Sequence, residues 1–340
     1  EVVGLRGRRR SLLHWIDAFL ADRSFRVRHK GAVSHTLSAP SGVPQGSVLG
    51  PTLFNVYVRD IPQSDRLLTI QYADDTTLAM CICSPDDLAT MQAHLDKLAV
   101  WSATNHLRVS HDKCAVMRFS SARKVQTPHY TLGGLLLPPV QELNILGVSF
   151  TTSLDFSGHV ARVVSRSRRL LGFASRFSRR FGQETLKTLY TALVLPRLEY
   201  RSSIWSPHQI HLTERLESVQ RRATRTLARH DHFSDYNERL RSLGWHRLSH
   251  RRTVARVRLF AVAPGPSLAG SYLASVPRIS SRTGCPIPLR ARTRRQEASL
   301  FPSAVSSYLS LPEHTRLPLP RTGDKLRDFS RTVSLALQAQ

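Results

Sequence analysis

The rhythm of apolar and polar positions changes near residue 155. Before it, short β-prone runs alternate with stretches of helical spacing; after it, the spacing is helical. Arg8–Leu20 reads as a basic amphipathic helix, and Phe25–Val27 and Val33–Leu37 as short strands joined through Gly31. A loop with three well-spaced breakers, Gly42, Pro44 and Gly46, leads into a helix running to about Asp60. Leu67–Ala79 predicts a hairpin with an acidic tip. Ser84 then precedes Pro85, Asp86 and Asp87, a capping residue followed by proline and two acids at the positive end of the dipole. Leu88, Met91, Leu95, Leu98 and Trp101 carry that helix to about Asn105. Val109 and Ala115–Phe119 bracket a further strand region, and Tyr130–Leu137 with Leu143–Phe150 predict another hairpin. Strands and helices mixed in this order predict an α+β fold.

From Asp155 one apolar stripe runs through Val160, Val163, Val164, Leu170, Leu171, Ala174 and Phe177. Arg162, Arg166, Arg169, Arg176 and Arg180 fall on a different face. A charged face is ordinarily just solvated. Here nearly every charge is positive, and the self-repulsion favours an anion held nearby. Gln183–Val194 and Leu212–Leu227 predict further helices, the latter and its flank carrying Arg215, Arg221, Arg222, Arg225 and Arg229. Beyond Arg258, Pro264, Pro266, Pro277, Pro286 and Pro288 break any regular pattern, so 262–295 reads as a linker or extended segment. No internal repeat is evident.

Composition sharpens this picture. The 340 residues correspond to about two domains, and a hydrophobic fraction of 41% suffices for real cores. A net charge of +25 points to a polyanionic partner, without separating nucleic acid from an anionic membrane surface. No apolar run reaches the ~18 residues of a membrane-spanning helix. The four cysteines, Cys81, Cys83, Cys114 and Cys285, form no Cys-x-x-Cys and read as free thiols in a reducing, intracellular compartment, nuclear or cytoplasmic. His230 and His232 flank Asp231 in what reads as a polar loop rather than a metal site.

Two segments carry candidate chemistry. Tyr72-Ala73-Asp74-Asp75 places adjacent carboxylates between two β-prone runs. Hard divalent cations take oxygen ligands, and Mg²⁺ in phosphoryl-transfer sites takes a few carboxylates plus substrate phosphates. Asp-Asp in a hairpin is also ordinary turn chemistry. Ser41–Asn55 reads Ser-Gly-Val-Pro-Gln-Gly-Ser-Val-Leu-Gly-Pro-Thr-Leu-Phe-Asn. Its glycines admit close backbone approach by a ligand. Ser47 is placed to cap the following helix, Leu49, Leu53, Phe54 and Val56 to supply its apolar face, and Pro51 to lie in the first turn. A helix N-terminus behind such a loop favours phosphate, and an ordinary loop-to-helix join has the same pattern.

Together, in this order and at this separation, SGVPQGSVLGPTLF and YADD resemble the reverse transcriptases of jockey-like non-LTR retrotransposons. The resemblance covers most of the chain. Leu12–Ile16 and Phe19-Leu20-Ala21-Asp22-Arg23 are similar to the family's helix and "fL.dR" signature, and Trp101 through Lys113 to its "W…N.L.l…K" element. Asn144–Val148 is similar to the "YLGV" strand, with Asn144 and Ile145 as departures. Leu198-Glu199-Tyr200, Trp205, Gln220–Ala223 and Leu243-Gly244-Trp245 are similar to the C-terminal extension. Ser299–Pro302 and Leu311-Pro312 are similar to the tail, where the residue matching Tyr308 is usually Trp.

The resemblance implies a partial polymerase fingers and palm over 1–150, an antiparallel sheet with helices. It further implies a mostly helical basic thumb or connection over 151–260, then a Pro-rich linker and C-terminal tail over 261–340. It implies RNA-directed DNA polymerisation on an RNA template, with a DNA primer, deoxynucleoside triphosphates, Mg²⁺ and no membrane. By motif match Asp74 and Asp75 are two of three metal-holding carboxylates. Gln45 and Gly46, with Gly42 and Pro44 shaping the loop, lie against the template and the incoming base. Tyr72 packs beneath the primer end, and Lys113 lies near the triphosphate or is a plain surface lysine. The all-positive helix face, rather than a motif, gives Arg162, Arg166 and Arg169 as contacts to nucleic-acid backbone. The family's third carboxylate belongs to an earlier "D…AFD" motif, and nothing before residue 41 matches it; Asp17 and Asp22 belong to other elements. The expectation is that this motif, most of the fingers and an endonuclease domain fall upstream of Glu1. This 340-residue chain is then inactive alone. A non-catalytic nucleic-acid-binding remnant and a decayed copy are the competing readings.

Overall fold

The sequence Ser84-Pro85-Asp86-Asp87 starts a helix in the structure as its chemistry dictates. The longest helix of the first half, α3, spans Pro85–Thr104, and the Asp87 carboxylate accepts from the amides of Ser84 at 2.8 Å and Cys83 at 2.9 Å. Those amides hold the Asp87 carboxyl below the usual carboxylate range, and Arg66 at 2.7 Å adds to it. The protein's computed structural model describes residues 9–120, 128–228 and 235–262. Arg229, the His230-Asp231-His232 loop, Cys285, the Pro-rich segment from Pro264 and the tail around Tyr308 lie outside the described residues. The chain divides into two compact units, residues 1–116 with 126–139, and 117–125 with 140–340.

In the first unit α1 spans Arg9–Leu20, and Trp15 stacks on Phe19 along its exposed side at 5.6 Å. The two expected strands become a ribbon of two-residue pieces. β1 (Ser24–Phe25) pairs with β4 (Leu37–Ser38), and β2 (Arg28–His29) with β3 (Ala32–Val33). Lys30 and Gly31 close the ribbon with φ of 46° and 89°, the doubly left-handed turn that matches strand twist. α2 covers Gly50–Tyr57, with Pro51 in its first turn. β5 (Leu68–Tyr72) and β6 (Asp75–Ala79) form an antiparallel hairpin. β7 (Thr131–Leu132) and β8 (Leu135–Leu136) form a second, closed by Gly133-Gly134. Leu95 of α3 packs with Tyr130, Leu132 and Leu137, flanked by Leu78, Leu88 and Met91. Gln92 fastens α3 to β7, its amide accepting from Thr131 N and donating to Thr131 O, both at 3.0 Å.

The strand region expected around Val109 and Ala115–Phe119 does not form. A 3₁₀ turn occupies His111–Lys113, and only an isolated bridge joins Val116 to Pro139. β-propensity needs a neighbouring ladder, and none is offered there.

The second unit opens with the hairpin β9 (Glu142–Ile145) and β10 (Val148–Thr151), separate from β7–β8 rather than paired with it. Gly147 turns it at φ 83°, and a Cβ there would meet the Tyr200 ring at 3.3 Å. α4 spans Ser157–Phe181 and α5 Gln183–Leu189. The expected continuous helix over Gln183–Val194 widens into a π turn at Tyr190–Val194 before α6 (Leu195–Glu199). Pro196 lacks the amide proton and crowds the carbonyl a turn earlier, which the wider turn relieves. α7 (Ser202–Trp205), α8 (Ile210–Leu227), α9 (Tyr236–Leu243) and α10 (Leu248–Val262) complete the unit.

Val160, Val164, Leu171 and Ala174 of the predicted stripe are buried around Trp205, Tyr190 and Leu216; Phe177 is instead 42% exposed. Among the described residues no helix is long and apolar enough to cross a membrane.

Candidate active site

The acidic hairpin is built as its sequence requires. Tyr72 pairs directly with Asp75, leaving Ala73 and Asp74 as the two-residue turn. Ala73 takes a φ of 52°, a left-handed conformation that costs an alanine energy and persists where the surrounding ladder imposes it. Directly opposed residues of an antiparallel pair share a face, so the Tyr72 ring and the Asp75 carboxylate lie on one side. Asp74 sits at the tip. Tyr72, Asp74 and Asp75 are all exposed. Among the described residues neither carboxylate has a hydrogen-bond or ion-pair partner, and no group of three His, Cys, Asp or Glu side chains stands together. The tip therefore offers two hard oxygen ligands, and Mg²⁺ is commonly held by one or two carboxylates with water and phosphate completing its shell. The donor set fits a hard divalent cation.

The Gly42–Gly46 loop is held by a residue from outside it. Arg23 donates from its guanidinium to the carbonyl oxygens of Gly42 at 2.6 Å, Ser41 at 3.3 Å and Leu20 at 2.9 Å. Gly42 and Gly46 have φ of 75° and 83°, with open space where a Cβ would stand. Glycine is needed there for the backbone angle, not for room. Ser47 donates to Pro44 O at 2.7 Å and accepts from the Gly50 amide at 3.0 Å. The N-cap of α2 is Leu49, so Ser47 serves the first helical amide from two residues further out than the cap. A Cβ on Gly50 would lie 2.9 Å from Ser47 Oγ and 3.0 Å from Pro44 O, so this glycine is required for space. Of the apolar face expected for α2, Leu53 and Phe54 are half-buried, while Val56 is 66% exposed.

Gln45 is exposed and makes no hydrogen bond with any described residue. None of the hydrogen bonds joins the 41–50 loop to the 72–75 tip. Lys113 is exposed at the end of its 3₁₀ turn, and its side chain makes no hydrogen bond or ion pair with any described residue. Beside that turn lies an open groove of about 570 Å³, lined by Ser102, His106, Arg108, His111 and Gly133 among others. Sequence reading missed it because its walls come from α3 and the β7–β8 turn. It also missed the Arg23 clamp, whose signal is the arginine that ends the Phe19–Arg23 signature.

The basic face of α4 is less uniform than its spacing suggests. Arg162 is ion-paired to Glu142 of β9, whereas Arg166 and Arg169 are exposed with no carboxylate partner among the described residues. Arg168 and Arg169 join Arg215 of α8 and Ser165 around a groove of about 340 Å³. Arg168 donates to Ser218 Oγ at 3.0 Å. Three guanidiniums converging on one groove need a pairing of two helices, which neither helix discloses alone.

Residues 6–150 match the family described as reverse transcriptase (RNA-dependent DNA polymerase). The chain is similar to the RNA-directed DNA polymerase from mobile element jockey of Drosophila melanogaster, 33% identical over 159 residues, 44% of this chain and 17% of the relative. It is similar to the jockey polymerase of Drosophila funebris, 29% identical over 212 residues, 57% and 22% of the two chains. The probable RNA-directed DNA polymerase from transposon X-element of Drosophila melanogaster is 26% identical over 225 residues, 62% and 24% of the two. The matched region spans less than a quarter of each of these relatives. No solved structure matches the chain.

Proposed function

We propose that this chain belongs with the reverse transcriptases of jockey-like non-LTR retrotransposons and supplies part of a site that extends a DNA primer on an RNA template. The observation that carries the reading is the two-residue turn that leaves Asp74 and Asp75 exposed beside Tyr72 and without a partner among the described residues. Asp74 and Asp75 would hold a divalent cation, Mg²⁺ in this reading, which when bound would supply activation of the primer hydroxyl and charge neutralisation at the triphosphate.

The chain's own residues do the positioning. Tyr72 supports the primer end from the face it shares with Asp75. Gln45 and Gly46 lie against the template and the incoming base, Gly42 and Pro44 set the loop's path, and Arg23 fixes it to the end of α1. Lys113 serves the triphosphate. The first unit is read as part of a polymerase palm and the second as a thumb whose Arg166 and Arg169 hold backbone phosphates, with Arg162 sharing its charge with Glu142. Phosphoryl transfer leaves a protein mainly positioning and charge stabilisation to supply.

A second reading, a nucleic-acid-binding protein without polymerase activity, draws on the absence of a third acidic neighbour at Asp74 and Asp75 among the described residues. Primer extension on a primed RNA template separates the two. The test uses this chain and a longer polypeptide joined to the upstream acidic motif of a jockey relative. Extension by the longer polypeptide, lost on Asp74→Asn, supports the polymerase reading; no extension with intact template binding supports the other.

A further inference from the structure

We propose that the outer face of α4 binds single-stranded nucleic acid, stacking bases on Phe173, Phe177 and Phe181 while neighbouring arginines hold the phosphates. The three phenylalanines recur at every fourth position, which places them on one side of the helix. They are 40%, 42% and 60% exposed, and their ring centroids follow one another at 4.6 Å and 6.2 Å. The buried stripe of the same helix ends at Ala174, so the row leaves the core rather than lining it. Arg180 lies over the Phe181 ring at 5.8 Å. Arg166, Arg169 and Arg180 stand at separations close to whole helical turns, on the exposed strip beside the rings.

Charge decides the occupant. The sequence of α4 contains seven arginines and no acidic residue. An apolar partner helix laid on the rings would have to desolvate that arginine row without pairing it. A polyanion pairs it, and one with aromatic faces also covers the rings. A duplex offers its phosphates but keeps its base faces stacked on each other, whereas a single strand presents both at once. The row covers about 12 Å along the helix, enough for a short run of nucleotides. The rings stand too close together for a base to enter between them, so bases lie against their outward faces. This inference rests on nucleic acid being the partner and is independent of the chemistry at Asp74 and Asp75.

The test compares fluorescence anisotropy of the full chain with labelled oligo(dT) and with the matching dA·dT duplex. The Phe177→Leu/Phe181→Leu variant keeps apolar volume and removes the rings. It should bind oligo(dT) at least about tenfold more weakly and the duplex unchanged, and Phe177→Tyr/Phe181→Tyr should restore the affinity. Photocrosslinking of the unaltered chain to a 5-iodouracil strand should map to the peptide holding residues 173–181. Unchanged oligo(dT) affinity in the leucine variant overturns the proposal, as does an equal loss on duplex or an absence of crosslinks at those residues. A leucine variant that changes only the oligomeric state would assign the rings to a second copy of the chain instead. The Asp74→Asn chain should bind oligo(dT) as the unaltered chain does, so failure of primer extension and failure of this inference are read separately.

Discussion

The Arg23 guanidinium reaches the carbonyl oxygen of Gly42 at 2.6 Å, and so ties the end of the first helix to a loop nearly twenty residues on. Charged donors make hydrogen bonds worth about 1.5–3 kcal/mol. The loop's own glycines contribute no side-chain contact, and Ser47 ties only its far end, so the clamp orders its start. Arg23→Ala is expected to raise amide exchange over 41–47 by about tenfold or more, leaving α3 unchanged. Arg23→Lys should recover little, because the guanidinium reaches Leu20 from one nitrogen and Ser41 and Gly42 from another, and a single ammonium nitrogen does not span both. Equal exchange in both proteins would show that the loop is held otherwise.

Polymerase chemistry is expected to depend on both carboxylates of the tip. In a longer polypeptide that extends primers, Asp74→Asn or Asp75→Asn should lower extension by at least about 10²-fold, because misplacing reacting groups by about 1 Å already costs that much. Template binding should stay nearly intact. The 340-residue polypeptide alone is expected to show no extension, since two carboxylates leave most of a Mg²⁺ shell to water. Extension by that polypeptide, lost on Asp74→Asn, would reveal a third ligand.

Stability of the second unit is expected to hinge on Glu217. This carboxylate is buried, accepts from the Tyr236 hydroxyl and receives the Leu248 amide at 3.1 Å. Burial pushes the phenols of Tyr190 and Tyr236 well above their ordinary range, so both remain donors, Tyr190 to Gln220 at 2.9 Å. Glu217→Ala orphans two buried donors, each costing about 1–3 kcal/mol. Urea unfolding should show a loss of about 3 kcal/mol. A loss below ~1 kcal/mol would mean that water replaces the carboxylate.

The same unit should weaken on acidification. Burial, with the nearby Arg162, holds His159 below the ordinary histidine range; Glu142 opposes this and Arg166 adds to it. His159 Nδ1 accepts from the Ser149 amide at 3.3 Å, which requires the neutral ring. The unfolded chain therefore binds more protons just below pH ~6.5, so stability falls as pH drops from there toward the depressed folded value. Burial also lowers His246 and His250, so His159→Gln should remove part of the slope, not all of it. An NMR titration placing His159 above ~6.5 would refute the assignment.

How much of this was legible in the sequence follows the range of the interactions. α3 is written in four consecutive residues at Ser84–Asp87, and the acidic hairpin in an alternating run with two adjacent acids, so both could be placed without tertiary knowledge. The two-residue strands of the 24–38 ribbon and the missing strand at 115–119 depend on which neighbour supplies a ladder. The π turn at Tyr190 depends on how one proline is accommodated. At the candidate site the tip and loop were visible as motifs. The Arg23 clamp and the Arg168–Arg215 groove were not, because each joins residues separated by many positions and is specified by packing alone.

The Arg162–Glu142 pair changes which arginines should matter for phosphate binding. An arginine that neutralises a phosphate releases a counterion and contributes about −0.9 to the log-log salt slope on duplex. Arg166 and Arg169 are free to do so; Arg162 has a carboxylate competing for its charge. Arg166→Ala/Arg169→Ala should therefore flatten the salt slope by about two. Arg162→Ala should flatten it by less, and Glu142→Gln, which frees Arg162, should steepen it. Because the pair is nearly half exposed, its own attraction is weak and a phosphate can displace it. Equal slopes in the unaltered chain and the Arg166/Arg169 variant would place the phosphates elsewhere. A slope unaffected by Glu142→Gln but reduced by Arg162→Ala would show that Arg162 leaves its partner whenever nucleic acid binds.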